Sequence, residues 1–311
     1  MTVTRGSFPA ALPAVALTIG NFDGVHKGHQ AMLAQLAARA RALRLAACVL
    51  TFEPHPREFF APEAAPTRLT SLREKIELLT TLGMDRVHIQ HFSGAFAKLS
   101  PEQFVADIMV RGLRTRSVLV GEDFRFGARR AGDLALLREL GAAGGFEVRV
   151  MPTVVHHEAR VSSSAVRDAL AAGDLERAEA LLGRPYSISG RVVHGSRLGS
   201  SIGCPTANIM LQHNRPPLLG IYAVLAHLEG GEGRPGVASL GFRPTVDSLG
   251  QPVLEVHLFD FSGDLYGRHV RVEFLKKLRD EARFPDLETL KAQIQRDCEA
   301  ARQVLMETRN D

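Results

Sequence analysis

The rhythm of apolar and polar positions changes partway along the chain. In the first half, short runs dominated by apolar residues lie at Val15–Ile19, 47–52, Arg86–His91, 117–120 and 147–154. Between them, near 28–44, 71–82, 101–111 and 133–142, apolar residues recur every three or four positions. The first pattern predicts strands buried on both faces, and the second predicts amphipathic helices. Their alternation predicts an α/β domain with a doubly wound parallel sheet, whose ligands bind beyond the carboxyl ends of the strands. Two short helices follow at 164–171 and Leu175–Leu182, stopped by Gly173 and Gly183, and Pro185 blocks continuation. We place the domain boundary there, giving domains 1–183 and 184–311. After it the runs Tyr186–Val193, 221–228, 253–259 and 270–274 are short, β-rich and separated by Gly, Pro, Asn and Asp. They predict a small antiparallel β-barrel. Leu287, Leu290, Ile294, Cys298, Ala301 and Leu305 form a helical stripe over 286–306, predicted to pack on that barrel.

Composition changes this picture little. A length of 311 residues fits two domains. With 45% hydrophobic and 23% charged residues, a mostly disordered chain is excluded. The net charge of +4 comes without any block of Lys or Arg, so no nucleic-acid partner is expected. The apolar run at 10–19 is broken by Pro13 and too short to span a bilayer, so a cytoplasmic protein without membrane partners is expected. Cys48, Cys204 and Cys298 are far apart, with no CxxC and no local Cys/His cluster. Neither a disulfide framework nor a structural zinc is expected from that spacing. The pattern does not decide between a monomer and a homo-oligomer.

Candidate chemistry sits at the predicted strand ends. The segment from Gly20 to His29 follows the first strand and opens the first long helix, placing His26, Gly28 and His29 at a helix N-terminus. Free backbone N–H groups and the helix dipole favour an anion there, and Gly28 leaves room for a phosphate. Two imidazole N–H donors suit charge building on a phosphate under attack, as nucleotidyl transfer requires. A second anion-ready helix start combines Ser162, Ser163, Ser164 and Arg167. Two further strand ends, at 51–56 and 121–127, offer Phe52, Phe124 and Phe126 to stack on a flat ring. Asp123 and Arg125 are placed there to bond the ring's edge or its phosphate, although core phenylalanines beside turn charges give the same pattern.

The second half has no GxxxxGK[ST] loop. Gly195 and Gly199 lead instead into Gly203-Cys204-Pro205-Thr206-Ala207-Asn208. In an extended stretch Thr206 and Asn208 share a face, offering a hydroxyl and an amide oxygen to a hard cation such as Mg²⁺, with ATP phosphates completing its shell. In 253–259, Leu254, Val256 and Leu258 face one way, and Val253, Glu255, His257 and Phe259 the other. Glu255 is the candidate base for a hydroxyl attacking a γ-phosphate, the alternative being a solvated outer barrel face.

These segments carry a resemblance. GNFDGVHKGHQ, TFEPHPREFF, GEDFRFG and VSSSAVR resemble the FMN adenylyltransferase module of the bacterial bifunctional riboflavin kinase/FAD synthetase family. GCPTAN, PLLGIYAV, GFRPTV and LEVHLFDFSGDLYG resemble its flavokinase module, in the family's order. The resemblance implies transfer of phosphate from ATP to riboflavin, then of AMP from ATP to FMN, both with Mg²⁺. It maps the family's histidines onto His26 and His29, its phosphate-side asparagine onto Asn21, and its serine-arginine segment onto Ser162, Ser163 and Arg167. It maps the family's Mg-ATP ligands onto Thr206 and Asn208, and its catalytic glutamate onto Glu255. Departures are Lys27 and Ser164, Cys204 where phenylalanine is usual, and Ser200 where a basic residue is common. Cys204, beside the nucleotide, is expected to make the kinase sensitive to alkylation. Three rivals stay open: a tRNA-charging enzyme, for which no KMSKS-type loop is found, an enzyme with one silent module, and a flavin-binding sensor.

Overall fold

The computed structural model describes residues 1–9, 12–156, 159–195, 204–211, 215–228, 231–242 and 252–307. They form two compact units, 1–66 with 72–162, and 67–71 with 163–311.

The first unit is built on a six-stranded sheet. Its strands are β1 (Thr2–Arg5), β2 (Val15–Ile19), β3 (Ala46–Glu53), β4 (Arg86–His91), β5 (Thr115–Gly121) and β6 (Glu147–Met151). Their order is β1-β4-β3-β2-β5-β6, and every pair is parallel. Neighbouring residues along a strand go to opposite faces. Leu17, Cys48, Leu50, Val118 and Val120 pack with Phe104, Ile108, Met109 and Leu137 on one side. Ala16, Ala47, Val49, Val87 and Leu119 pack on the other with Leu33, Leu36, Ala40 and Leu79. That second set comes from α1 (Lys27–Leu43) and α3 (Leu72–Thr81), separated in sequence by the short α2 (Pro56–Phe60).

Several expectations need correction. β1 was not foreseen, because Thr2, Val3, Thr4 and Arg5 form an edge strand with only Thr4 buried and no apolar run to mark it. The strand expected over 147–154 stops at Met151, where Pro152 has no N–H to give the ladder. A hairpin of β7 (Val155–His156) and β8 (Ala159–Arg160) follows. After α4 (Gly94–Ala97), the helix expected over 101–111 starts as α5 (Pro101–Gln103), boxed by Ser100 and Gln103, and continues as a π-helix, Phe104–Gly112. α6 (Leu134–Gly144) is capped by Asp133.

The second unit opens with α7 (Ser163–Ala171) and α8 (Leu175–Leu182), ahead of a closed barrel. Its strands are β9 (Tyr186–Val193), β10 (Ala207–Ile209), β11 (Gly220–Leu228), β12 (Gly233–Phe242), β13 (Pro252–Leu258) and β14 (His269–Arg279). They close in the order β10-β13-β12-β11-β14-β9, and all pairs are antiparallel. β12 escaped the sequence pattern because Gly233, Pro235, Gly236 and Gly241 interrupt it. The last helix, α9 (Leu287–Glu307), lays Cys298, Ala301, Val304 and Leu305 on Ile221, Ala223, Val237 and Phe259. Arg279 and Asp297 tie it to β14 through two bonds of 2.9 and 2.6 Å.

Candidate active sites

In the first sheet the chain runs from β2 outward to β3 and β4, then returns to place β5 on the other side of β2. The crevice between the carboxyl ends of β2 and β5 is therefore the topological switch point, where such sheets bind ligands. The segments 20–26 and 122–127 leave from those two ends. Phe22 and Val25 hold left-handed backbone, with φ 49° and 42°, and their side chains are fully buried. Burial over-determines a turn that would otherwise be strained. The turn delivers His26 to the N-cap of α1, where Nδ1 accepts the His29 backbone N–H at 3.4 Å. The two imidazoles stack, with centroids 3.7 Å apart and planes 19° apart. A Cβ on Gly28 would sit 3.2 Å from the His26 ring, so glycine keeps the helix start open beside it.

The electrostatics favour neutral imidazole at His29. Burial first, then the His26 ring and the Lys75 ammonium, hold its pKa well below the ordinary histidine value. A neutral ring donates one N–H and accepts at the other nitrogen. His29 Nδ1 and Asn21 Oδ1 are buried and have no hydrogen-bond partner among the described residues. Buried polar atoms are normally paired, so the orphaned nitrogen at the helix start and the orphaned oxygen in the turn before it leave hydrogen-bonding capacity for a ligand. Lys75 is a residue that sequence reasoning passed over. It is 4% exposed on α3, three residues after Leu72 and four before Leu79, and a charge on that apolar face was the available signal.

The other predicted residues of this half are distributed as follows. Phe52 packs in an aromatic group with Phe92 and Phe96, at 5.9 and 5.8 Å. Phe124 stacks on the buried Phe126 at 5.6 Å. Asp123 pairs with Arg160 at 2.6 Å, which holds its carboxyl below the usual range, and Arg125 lies 3.5 Å from Asp133. Ser162 belongs to the first unit, while Ser163 and Arg167 belong to the second. There, Arg167 Nε donates to the Thr67 carbonyl at 2.5 Å.

In the barrel, Asn208 of β10 is the register partner of Glu255 on β13, which also pairs with Ser239 on β12. Residues opposite one another in an antiparallel pair share a face. Leu254, Val256 and Leu258 are buried on the opposite face, as their alternation predicted, and Glu255 and His257 are half-buried. Asn208 is 7% exposed, and its Nδ2 donates to the Thr206 carbonyl at 3.5 Å. A Cβ on Gly195 would run into the Asn208 amide, so glycine there is what lets the backbone lie against it. The hydroxyl, amide and carboxylate oxygens of Thr206, Asn208 and Glu255 are a hard donor set of the kind Mg²⁺ accepts. Gly199, Ser200 and Gly203 lie outside the described residues.

The fold brings together two cysteines that are distant in the sequence. Cys204 Sγ, Cys298 Sγ and a ring nitrogen of His257 all lie within 4.8 Å of one another. The cluster forms from three elements distant in sequence, so spacing alone did not show it.

Comparison with known proteins divides the chain in the same sense. The family model described as FAD synthetase matches residues 9–165, and that described as riboflavin kinase matches residues 182–305. The bifunctional riboflavin kinase/FMN adenylyltransferase of Escherichia coli K12 is 50% identical over 287 residues, 92% of this chain and 91% of that protein. The enzyme of the same name from Haemophilus influenzae is 45% identical over 304 residues, 97% of this chain and 98% of its own. A crystal structure described as a macrolide-efflux protein from Streptococcus pneumoniae superposes with a TM-score of 0.81 at 28% identity, covering 97% of this chain and 99% of that one. Among the described residues here, no helix is long and apolar enough to cross a membrane.

Proposed function

The chain belongs to the bifunctional riboflavin kinase/FMN adenylyltransferase family, and on that premise we propose which of its residues carry each of the two transfers. The protein makes FMN from riboflavin and FAD from FMN. We assign adenylyl transfer to residues 1–183 and phosphorylation to residues 184–311.

In the barrel, Glu255 accepts the proton of the riboflavin hydroxyl as its oxygen attacks the γ-phosphorus of ATP, and ADP leaves. The register pair of Glu255 and Asn208 carries this assignment, because it sets a base beside the nucleotide-side amide. Thr206 and Asn208, with the ATP phosphates, would hold Mg²⁺, which supplies charge neutralisation on the phosphates. Gly195, whose backbone lies against the Asn208 amide, is assigned to the nucleotide side, together with Gly199, which lies outside the described residues. In the sheet domain, a phosphate oxygen of FMN attacks the α-phosphorus of ATP and pyrophosphate leaves. His26 and His29 donate to the phosphate oxygens where charge builds, with Asn21, Gly28 and Ser162 beside them, and Ser163 and Arg167 of the second unit are assigned to phosphate binding as the resemblance maps them. No covalent intermediate on the protein is needed, since positioning and electrostatics suffice. The orphaned His29 Nδ1 supports the placement of that imidazole in the site. Phe52, Phe124, Asp123 and Arg125 are assigned to the flavin side. We infer that the enzyme works in the cytoplasm.

Incubating the full chain with riboflavin, ATP and Mg²⁺ and separating the flavins tests the reading. FMN and FAD should both appear, and FAD should also form from supplied FMN. FAD formed only from FMN would mean a silent kinase, and bound flavin without product would mean a sensor.

A further inference from the structure

We propose that Cys204, His257 and Cys298 form a binding site for a thiophilic divalent cation, with Zn²⁺ as its natural fit, separate from the Mg²⁺ that accompanies ATP. Three observations carry it. The two sulfurs and an imidazole nitrogen lie within 4.8 Å of one another, on the arm before β10, on α9 and on β13. His257 Nδ1 is 2.9 Å from the Pro205 carbonyl. A carbonyl only accepts, so Nδ1 carries the proton and the lone pair is on Nε2, the arrangement in which a second partner orients a metal-binding histidine. Cys298 also packs against the apolar group that includes Phe259 and Ala301, which shelters one side of the cluster.

The donor set selects the ion. Two thiols and an imidazole with no carboxylate suit Zn²⁺ and exclude a good fit to Mg²⁺ or Ca²⁺. Tetrahedral Zn²⁺ with Zn–S bonds of ~2.3 Å sets its sulfurs about 3.8 Å apart, so small side-chain adjustments close the site. Binding converts both thiols to thiolates, two protons pass to the buffer, and neutral His257 supplies its lone pair. Three protein ligands leave the fourth position to water. The ion would tie α9 to the arm that carries Thr206, two residues after Cys204, and leads into Asn208 on β10.

The test uses the full chain, reduced and stripped of metal, titrated with Co²⁺ and then Zn²⁺. A thiolate-to-cobalt charge-transfer band should saturate at one equivalent and bleach on addition of Zn²⁺. Cys204→Ser and Cys298→Ser should each lose most of its intensity, and His257→Gln should shift the visible cobalt bands, with far-UV circular dichroism confirming that each variant is folded. A second measurement needs no variant: Zn²⁺ should slow iodoacetamide labelling of Cys204 and Cys298 in the wild-type chain, mapped by peptide mass. The proposal is overturned by absence of the charge-transfer band in the wild-type chain, by its persistence in both serine variants, or by labelling that Zn²⁺ does not change. Neither readout depends on kinase turnover, so failure of the kinase assignment leaves this test intact.

Discussion

Asn208 and Glu255 stand directly opposite one another on β10 and β13. They are 47 residues apart in the chain (255−208), and the barrel's register alone makes them neighbours. A one-residue slip of β13 would turn Glu255 to the barrel interior and Leu254 to the outside. The burial of Leu254 at 0% and Val256 at 1% therefore holds the carboxylate in place as well as stabilising the barrel. The candidate kinase site thus inherits its geometry from the core beneath it.

Gly195 is part of the same construction. Replacing it with alanine puts a methyl group into the Asn208 amide. Gly195→Ala should lower the rate of FMN formation at least tenfold, on the order of the loss expected when one positioned group is displaced. FAD synthesis from supplied FMN should be unchanged. Steady-state assays of both activities on the one variant check this, and equal loss of both would contradict it.

The docking of α9 rests on a buried pair. Asp297 is 6% exposed and receives both Arg279 bonds and a third, 2.9 Å, from Gln293 Nε2. Removing the carboxylate strands a partly buried guanidinium, so Asp297→Ala should destabilise the barrel by about 3 kcal/mol. Urea denaturation followed by circular dichroism measures the loss. An unchanged midpoint would show the pair to be stabilised no better than solvent contacts.

Acid should weaken the first unit through its buried histidines. Burial is the main cause holding both His29 and His88 below the ordinary value. In the unfolded chain these imidazoles take up protons near pH 6.5, whereas in the folded chain they stay neutral to lower pH. The unfolded state then binds more protons, so stability is fully present above about pH 6.5 and falls as pH drops below it. The urea midpoint should drop between about pH 7.5 and about pH 5.5, and His29→Asn should make the drop shallower. The same slope in wild type and variant would contradict a neutral, buried His29.

Much of this was legible in the sequence. β2 reads as a strand because Val15 to Ile19 is almost wholly apolar, and its end at Gly20 places His26 and His29 on the next helix. The alternation of Leu254, Val256 and Leu258 puts Glu255 on the other face without any structure. What was not legible depends on partners far along the chain. Asp123 and Arg125 read as free ligand groups, and only the fold brings Arg160 and Asp133 to them. Cys204, His257 and Cys298 read as isolated for the same reason. β12 was hidden because its Gly and Pro residues lie where barrel strands approach closely, as at Gly236 against the His257 carbonyl.

The central claim is that two sites on one chain divide the two transfers. Glu255→Ala and His29→Ala, each assayed for FMN from riboflavin and for FAD from FMN, test it most directly. Loss of the base should cost about 10²–10⁴-fold in FMN formation and leave FAD synthesis intact. Loss of the imidazole donor should cost about 10²–10³-fold in FAD synthesis and leave FMN formation intact. Either substitution abolishing both activities in a folded chain would contradict the division.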